Sequence, residues 1–519
     1  MASDTNVETF DAEAVNAKHK RELYAARQKI HPKRASGSFR SLKWVIMAVT
    51  LGIYYITPWL RWDRGEFAPD QAVLIDMSSR RFYFFFIDIW PHEFFFVAGL
   101  LVMAGIGLFL VTSTVGRAWC GYTCPQTVWV DLFLVVERFF EGDRNARIKL
   151  DAAPWTTAKL VKRTSKHVVW LLIAVATGGA WIFYFADAPT LLKDFLTGNA
   201  AFVAYATVAV LTATTYVFGG LMREQVCTYM CPWPRIQAAM LDEHSLTVTY
   251  NEWRGEPRSR HTKKAIAEGI PVGDCVDCNA CVAVCPMGID IRDGQQLECI
   301  TCALCIDACD GVMDKLGRET GLISYSTLST YNQNMALATG GAPGGAIQPA
   351  LVRPESRLAA GVQHFHWRNV IRVRTLIYLV LYGAIGLGLL AALLMRSHLD
   401  VNVLHDRNPQ FVRLSDGSIR NGYHIKILNM RTEPRAFRIA VDGLNGATLK
   451  LEGSDLGQTG DDILDVKANQ LRNVRAFVTL PKDAIAAKTS DFAFKITDSA
   501  SADTVTANVR FEAPSGTGQ

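Results

Sequence analysis

The chain has 519 residues, half of them hydrophobic, and a net charge of only +5. That length predicts several domains, and so small a charge argues against a nucleic-acid partner. All twelve cysteines fall between Cys120 and Cys309, eight of them at tight metal-site spacing, which excludes a secreted disulfide framework.

Residues 1–41 form a polar, basic segment with Lys18, Lys20, Arg21, Arg27, Lys29, Lys33 and Arg34. It lacks the compact pattern of a signal peptide, so it is expected to be retained. Five apolar stretches then approach the roughly 20 residues a helix needs to cross a bilayer. They are Leu42 to Trp59, Glu93 to Ser113, Lys166 to Ala186, Ala200 to Gly220 and Thr375 to Met395. Trp44, Trp59, Trp62, Trp119, Trp170 and Trp181 stand near their ends, where a membrane-water boundary favours amphipathic rings.

Lys and Arg resist translocation, so their distribution predicts orientation. Thr114 to Ser165 holds Arg117, Arg138, Arg144, Arg147, Lys149, Lys159, Lys162 and Arg163, whereas Asp187 to Asn199 holds only Lys193. The first of these loops is expected in the cytoplasm with the N-terminus, and an odd number of spans then leaves residues 396–519 in the periplasm. Arg64, Arg80 and Arg81 weaken the bias in the first external loop, although Asp63, Glu66, Asp70, Asp76 and Asp88 accompany them.

Residues 42–245 read as a four-helix membrane domain with a weak internal repeat. Its second and fourth spans each end in an Arg followed shortly by Cys-x-x-x-Cys-Pro: Cys120 and Cys124 before Pro125, Cys227 and Cys231 before Pro232. Two hairpins related by an axis along the membrane normal would produce this pattern. In a helix, i,i+4 spacing puts both thiols of a pair on one face. The proline after each second cysteine disfavours helix at Cys124 and Cys231, which predicts a break there. Arg117 and Arg223 are placed to lower the thiol pKa values. The pattern suits a soft-metal or redox site, with Met230 as a thioether ligand for Cu(I). One site shared by four thiols and two sites of two thiols are both open, and the bland reading is packing or lipidated cysteines.

Residues 246–339 contain Cys275-x2-Cys278-x2-Cys281-x3-Cys285-Pro286 and a second copy, Cys299-x2-Cys302-x2-Cys305-x3-Cys309. This is the bacterial ferredoxin spacing, in which the fourth cysteine ligates the other cluster. It predicts two [4Fe-4S] clusters, one on Cys275, Cys278, Cys281 and Cys309, the other on Cys299, Cys302, Cys305 and Cys285. Zinc sites use paired cysteines at longer intervals. Asp310 replaces the usual proline after the last cysteine, a change in the local turn. Clusters on the cytoplasmic side imply a cytoplasmic electron donor.

Residues 340–374 read as a linker, glycine-rich from Gly340 to Pro354, and 375–395 as the fifth span. Residues 396–519 alternate in short runs, Gly422 to Leu428, Ala436 to Val441, Val474 to Leu480, Phe492 to Thr497 and Thr504 to Phe511, the signature of an immunoglobulin-like β-sandwich. It shows no paired acid, nucleophile or metal cluster, so docking or scaffolding is expected of it. His92 and Glu93 read as interface anchors, His364 and His366 as headgroup contacts beside Trp367 and Arg368, and Met47 and Met103 as packing residues. The fold class is thus an α-helical five-span bundle with a ferredoxin-like two-cluster segment and a C-terminal all-β sandwich.

Over nearly its full length the chain resembles the cytochrome c oxidase accessory protein family CcoG, also called FixG or RdxA. The resemblance rests on Arg117 to Gln126, Arg223 to Glu243, Trp253 to Pro257, Gly273 to Asp310 and Asp406 to Asn421. It implies assembly of a cbb-type oxidase, with one-electron reduction of Cu(II) to Cu(I) at Cys120, Cys124, Cys227 and Cys231, and oxidase subunits or copper chaperones as partners. That is cupric reductase chemistry in a multi-pass protein of the bacterial inner membrane, with a homo-oligomer left open. In its membrane part the chain is also similar to NapH and NosR proteins, which implies a general electron conduit from a cytoplasmic or quinone donor, with flavin or quinone bound. A scaffold whose clusters only stabilise the fold is the third reading.

Overall fold

The computed structural model describes residues 7–16, 28–340, 361–366, 370–452, 463–485 and 487–514. Lys18, Lys20, Arg21 and Arg27, residues 341–354 of the glycine-rich linker, and Trp367 and Arg368 lie outside the described residues. Two compact units emerge: Met1–Leu60, Val73–Phe84 and Asp88–Gly388 in one, Arg61–Ala72, Phe85–Ile87 and Leu389–Gln519 in the other.

Among the described residues, five helices are long and apolar enough to cross a membrane: Ser38–Trp59, Pro91–Val115, Thr157–Tyr184, Phe202–Met222 and Val373–Leu394. A helix satisfies its own backbone, which a bilayer core demands. The regular α-helical parts are labelled α1 (Ser38–Ile56), α2 (Phe95–Val115), α4 (Thr157–Thr177), α5 (Phe202–Thr215) and α8 (Val373–Leu394). Only 6% of the most apolar window of the α2 span is buried in protein, so its remaining apolar surface needs lipid. Alongside it runs α8, with Tyr378 6.3 Å from Phe109 between ring centroids.

Between α2 and α4, helix α3 (Pro125–Glu141) buries three carboxylates and is no span. Each is matched by cations: Asp131 by Lys43 at 2.9 Å and Arg40 at 3.2 Å, Glu137 by Arg147 and Arg223 at 3.0 Å each, Glu141 by Lys166 at 2.9 Å and Arg163 at 3.1 Å. A buried carboxylate persists only when paired like this. The apolar counterpart of this layer is Phe133 stacked on Trp170 at 5.3 Å, with the indole N–H donating to the Phe133 carbonyl at 3.0 Å. Gly219 and Gly220 lie so close to these rings that a side chain would collide with them.

Short helix α6 (Trp233–Met240) follows the second thiol motif. The cysteine-rich segment is bracketed by β1 (Leu246–Tyr250) and β2 (Ile323–Thr327), paired antiparallel with Val248 opposite Tyr325. Its longest helix is α7 (Leu304–Leu316). Asp307 on α7 accepts the Phe39 and Arg40 backbone N–H groups at 3.1 and 2.7 Å, capping α1 from outside because its own N-cap, Gly37, has no side chain.

The second unit holds two antiparallel sheets. In one the order is β6 (Thr448–Glu452), β8 (Leu471–Leu480), β4 (Ile419–Asn429), β3 (Leu399–His405), with Val412–Arg413 also pairing with β4. In the other it is β7 (Ile463–Val466), β5 (Arg435–Asp442), β9 (Thr489–Asp498), β10 (Thr504–Glu512). Alternate residues point inward, and Tyr423, Ile425, Ile427, Phe437, Ile439, Phe494 and Ile496 make a core at most 2% exposed. The five strands expected from the sequence are present, and β3, β6 and β7 are additional. Phe494→Ala should destabilise this unit by about 3–5 kcal/mol, read as a lowered midpoint in thermal unfolding followed by near-ultraviolet circular dichroism.

Candidate functional site

The two ferredoxin loops share one backbone. In the first, Asp277 and Asn279 have φ of +47 and +58; in the second, the residues at the same two positions, Thr301 and Ala303, have φ of +51 and +60. Left-handed backbone costs on the order of 1 kcal/mol at a residue with a side chain, and more at β-branched threonine. Repeating it at matched positions turns backbone N–H groups inward, the arrangement that favours anions and iron-sulfur clusters. The Ala280 N–H accordingly reaches the Cys278 sulfur, Thr301 N–H reaches Cys299, and the Ile289 and Met287 N–H groups reach Cys285. Arg292 fixes both left-handed residues of the first loop, donating to Asp277 and Asn279 at 2.7 Å each.

Cys309 stands in electrostatic reach of Cys281, Cys275 and Cys278; Cys285 stands in reach of Cys302 and Cys299, and Cys305 of those three. A cavity is lined by Cys281, Cys285, Cys299, Cys302 and Cys305 between apolar walls from Val248, Ile289 and Ile300. Among the described residues no three His, Cys, Asp or Glu side chains converge closely enough to hold a single ion. Soft sulfur donors around an apolar space, with backbone N–H groups on the sulfurs, fit an iron-sulfur cluster. Burial pushes Cys305 and Cys309 well up, with neighbouring thiols adding to the shift. Asp310 lies inside α7, not in the turn expected there, and accepts the Gly321 N–H at 2.8 Å, which ties the helix to the residues leading into β2.

The membrane motifs break their helices where proline requires it. Cys124 and Cys231 are both extended, with ψ of 128 and 124. In each motif the second cysteine's N–H bonds five residues back, Cys124 to the Trp119 carbonyl at 2.9 Å and Cys231 to the Val226 carbonyl at 2.8 Å. This wide π-type turn encloses the whole Cys-x-x-x-Cys pair, and such turns recur at functional positions. Pro125 then opens α3 and Pro232 precedes α6. Gln126 ties the two motifs together, donating to the Phe218 and Arg223 carbonyls at 2.8 and 3.1 Å.

The four thiols come within electrostatic reach of one another: Cys120 feels Cys124 and Cys231, and Cys227 feels Cys124, Cys120 and Cys231. For Cys120 and Cys227 the expected activation by arginine is overturned. Burial dominates, pushing Cys120 up to about 11 and Cys227 up to about 12; Arg117 pulls back on both, while Arg223 is held by Glu137 and by the Gly220 carbonyl at 2.9 Å. Fully buried Gln237 accepts from the Cys120 thiol at 3.1 Å, a partner no sequence motif announced. Met230, at the end of the second turn, is 51% exposed. Cys120 and Cys227 pack against the apolar cluster that contains Ile300, Cys302 and Leu304, against which Cys285 and Cys299 also pack.

Three family models match: a 4Fe-4S binding domain over residues 95–141, a 4Fe-4S dicluster domain over 222–328, and the IG-like fold at the C-terminus of FixG, putative oxidoreductase, over 389–514. Nitrogen fixation protein FixG of Rhizobium meliloti is 64% identical over 98% of both chains. Proteins RdxB and RdxA of Cereibacter sphaeroides are each 55% identical, covering 90% and 89% of this chain and 92% and 91% of theirs. Likeness of that extent, joined to two matched cysteine loops and two thiol turns on a helical membrane unit, means that the chain belongs to the FixG/RdxA family of iron-sulfur electron-transfer proteins.

Proposed function

We propose that this protein carries single electrons from a cytoplasmic donor to copper at the membrane edge, converting Cu(II) to Cu(I) for insertion into a cbb-type oxidase. One observation carries the reading: Cys120 and Cys227 pack against the same small apolar cluster, containing Cys302, that Cys285 and Cys299 pack against, so one thiol of each membrane motif lies beside the second ferredoxin set. Bound to the eight ferredoxin cysteines in the crossed pattern, two [4Fe-4S] clusters supply one-electron transfer.

The chain's own residues do the rest. Cys120, Cys124, Cys227 and Cys231 offer soft sulfur that favours Cu(I) over Cu(II), with Met230 as an accessory thioether. Each copper takes one electron, and no bond of an organic substrate is made or broken. Copper binding displaces thiol protons that burial otherwise retains, so uptake releases protons to water. Oxidase subunits or copper chaperones receive the product.

The same reading sets the topology. Arg61–Ala72 and Phe85–Ile87, from the loop between the first two spans, belong to the compact unit that contains the sandwich. Residues 7–16 belong to the other unit, where the Phe10 N–H bonds the Cys278 carbonyl at 3.0 Å. An odd number of spans with the ferredoxin loops and N-terminus in the cytoplasm satisfies both pairings, leaving the sandwich in the periplasm of an inner-membrane protein. A second reading, an electron conduit to another membrane redox partner, draws on the 4Fe-4S match over 95–141, which includes Cys120 and Cys124.

Three outcomes are expected. In anaerobically purified protein, metal analysis should find roughly eight irons with copper present, and Cys302→Ala should lower iron to roughly four; copper-free protein with bound flavin or quinone would favour the conduit. Cys227→Ser with Cys231→Ser should abolish Cu(II) reduction by dithionite-reduced protein while iron content holds, and an unchanged rate would remove these thiols from the mechanism. Protease added to spheroplasts should cleave the C-terminal sandwich and spare the cysteine-rich segment; the reverse pattern would invert the topology.

A further inference from the structure

The two membrane motifs carry tyrosine at the same position, Cys120-Gly121-Tyr122 and Cys227-Thr228-Tyr229, but the fold treats them differently. Tyr229 is 61% exposed. Tyr122 is buried, and its hydroxyl lies 3.4 Å from that of Tyr325 on β2, which donates onward to the Thr301 carbonyl at 2.7 Å. Thr301 is one of the left-handed residues between Cys299 and Cys302.

The residue before each tyrosine diverges in step. A side chain at Gly121 would stand 2.7 Å from the Ile300 carbonyl oxygen and 3.1 Å from the Cys302 nitrogen, so the two backbones are already in contact. The second motif has Thr228 there, whose hydroxyl turns back to the Glu224 carbonyl at 3.0 Å. Arg117, buried three residues before Cys120, donates to the Leu297 carbonyl at the start of the same ferredoxin loop. Three independent contacts therefore join the first motif to the Cys299–Cys305 loop.

We infer that Tyr122 and Tyr325, together with side-chain-free Gly121, are positioning residues that fix the distance between the first membrane thiol turn and the Cys299–Cys305 set, making that set the one which faces the membrane site. This deepens the proposed electron path and rests on it. The hydroxyls of the tyrosine pair bond each other and the Thr301 carbonyl, so the pair acts through that carbonyl and the Cys120–Cys124 turn. Tyr229, its counterpart, has no such role.

The test uses full-length protein in detergent, purified without oxygen, with the conservative variants Tyr325→Phe and Tyr122→Phe, the spacer variant Gly121→Ala and the control Tyr229→Phe. Iron content, the electron paramagnetic resonance spectrum after dithionite reduction and the midpoint potentials are measured. The expected result is wild-type iron in both tyrosine variants, with one of the two iron-sulfur signals shifted and the other unmoved. Tyr229→Phe should match wild type. In Gly121→Ala, re-oxidation of the reduced protein by Cu(II) should slow by up to ~10²-fold, as a misplacement on the order of 1 Å can produce. Unchanged spectra in Tyr325→Phe, Tyr122→Phe and Gly121→Ala would overturn the inference, as would equal disturbance of both signals with loss of iron. A wild-type protein that holds iron but cannot reduce Cu(II) would sink the copper reading and leave the spectroscopic comparison standing; one without iron would sink both.

Discussion

The thermodynamic cost of burying thiols governs this structure. The eight ferredoxin cysteines all sit within or against small apolar clusters, and desolvation raises Cys281, Cys285, Cys299, Cys305 and Cys309 far above an ordinary thiol, each worsened by like neighbours. Such sulfurs are either neutral or bound to metal, so cluster binding and folding of the module are one process. The left-handed residues at 277, 279, 301 and 303 belong to the same logic. Their strain is tolerable because it aims backbone N–H groups at sulfur, adding partial positive charge to that of Arg292 beside the first set and Arg117 beside Cys299. Arg292 serves the first loop and the Tyr325 hydroxyl the second, each holding a strained residue by its outer face.

The membrane motifs meet the same cost with different means. A wide turn closed five residues back lets both thiols of a pair leave the helix without orphaning the second cysteine's N–H, and the following proline needs no donor at the start of the next helix. Arg223 would be an unpaired buried cation next to this turn. Glu137 neutralises it and shares Arg147, so the carboxylates of α3 do for the second motif what Gln126 does between the two. The Glu137–Arg223 pair thus supports the second thiol turn, while Asp131 and Glu141 bind α3 to cations of the first and third spans.

Much of this was legible in the chain. Five long apolar stretches left lipid as the only partner able to cover them, and the ferredoxin spacing carried its chemistry in the residue types themselves. Pre-proline sterics located both helix breaks. What escaped depends on distant neighbours. Arg117 and Arg223 looked alike beside their cysteines, yet burial outweighs either charge and only the tertiary fold hands Arg223 to Glu137. Gln237 lies 117 residues from Cys120 and Tyr325 lies 24 from Thr301, with no spacing rule to connect them. Strands β3, β6 and β7 were missed because β3 follows almost directly on a membrane helix and the others are short sheet-edge or loop-flanked pieces.

The internal repeat shows how a duplicated motif acquires direction. Two copies of Cys-x-x-x-Cys-Pro would by symmetry offer two equivalent faces, but although Cys120 and Cys227 both pack against the ferredoxin-side cluster, the rest of the two turns meets it differently. The copy with glycine between cysteine and tyrosine admits a neighbouring backbone, whereas the copy with threonine cannot reach the same contact without collision. The second copy meets the cluster through Cys227, while its tyrosine and Met230 face outward. The asymmetry divides labour: the first turn is held by backbone contact with the ferredoxin loop, and the second, with Cys227 still inside, carries the exposed Met230 thioether, where an incoming or departing metal would first meet sulfur.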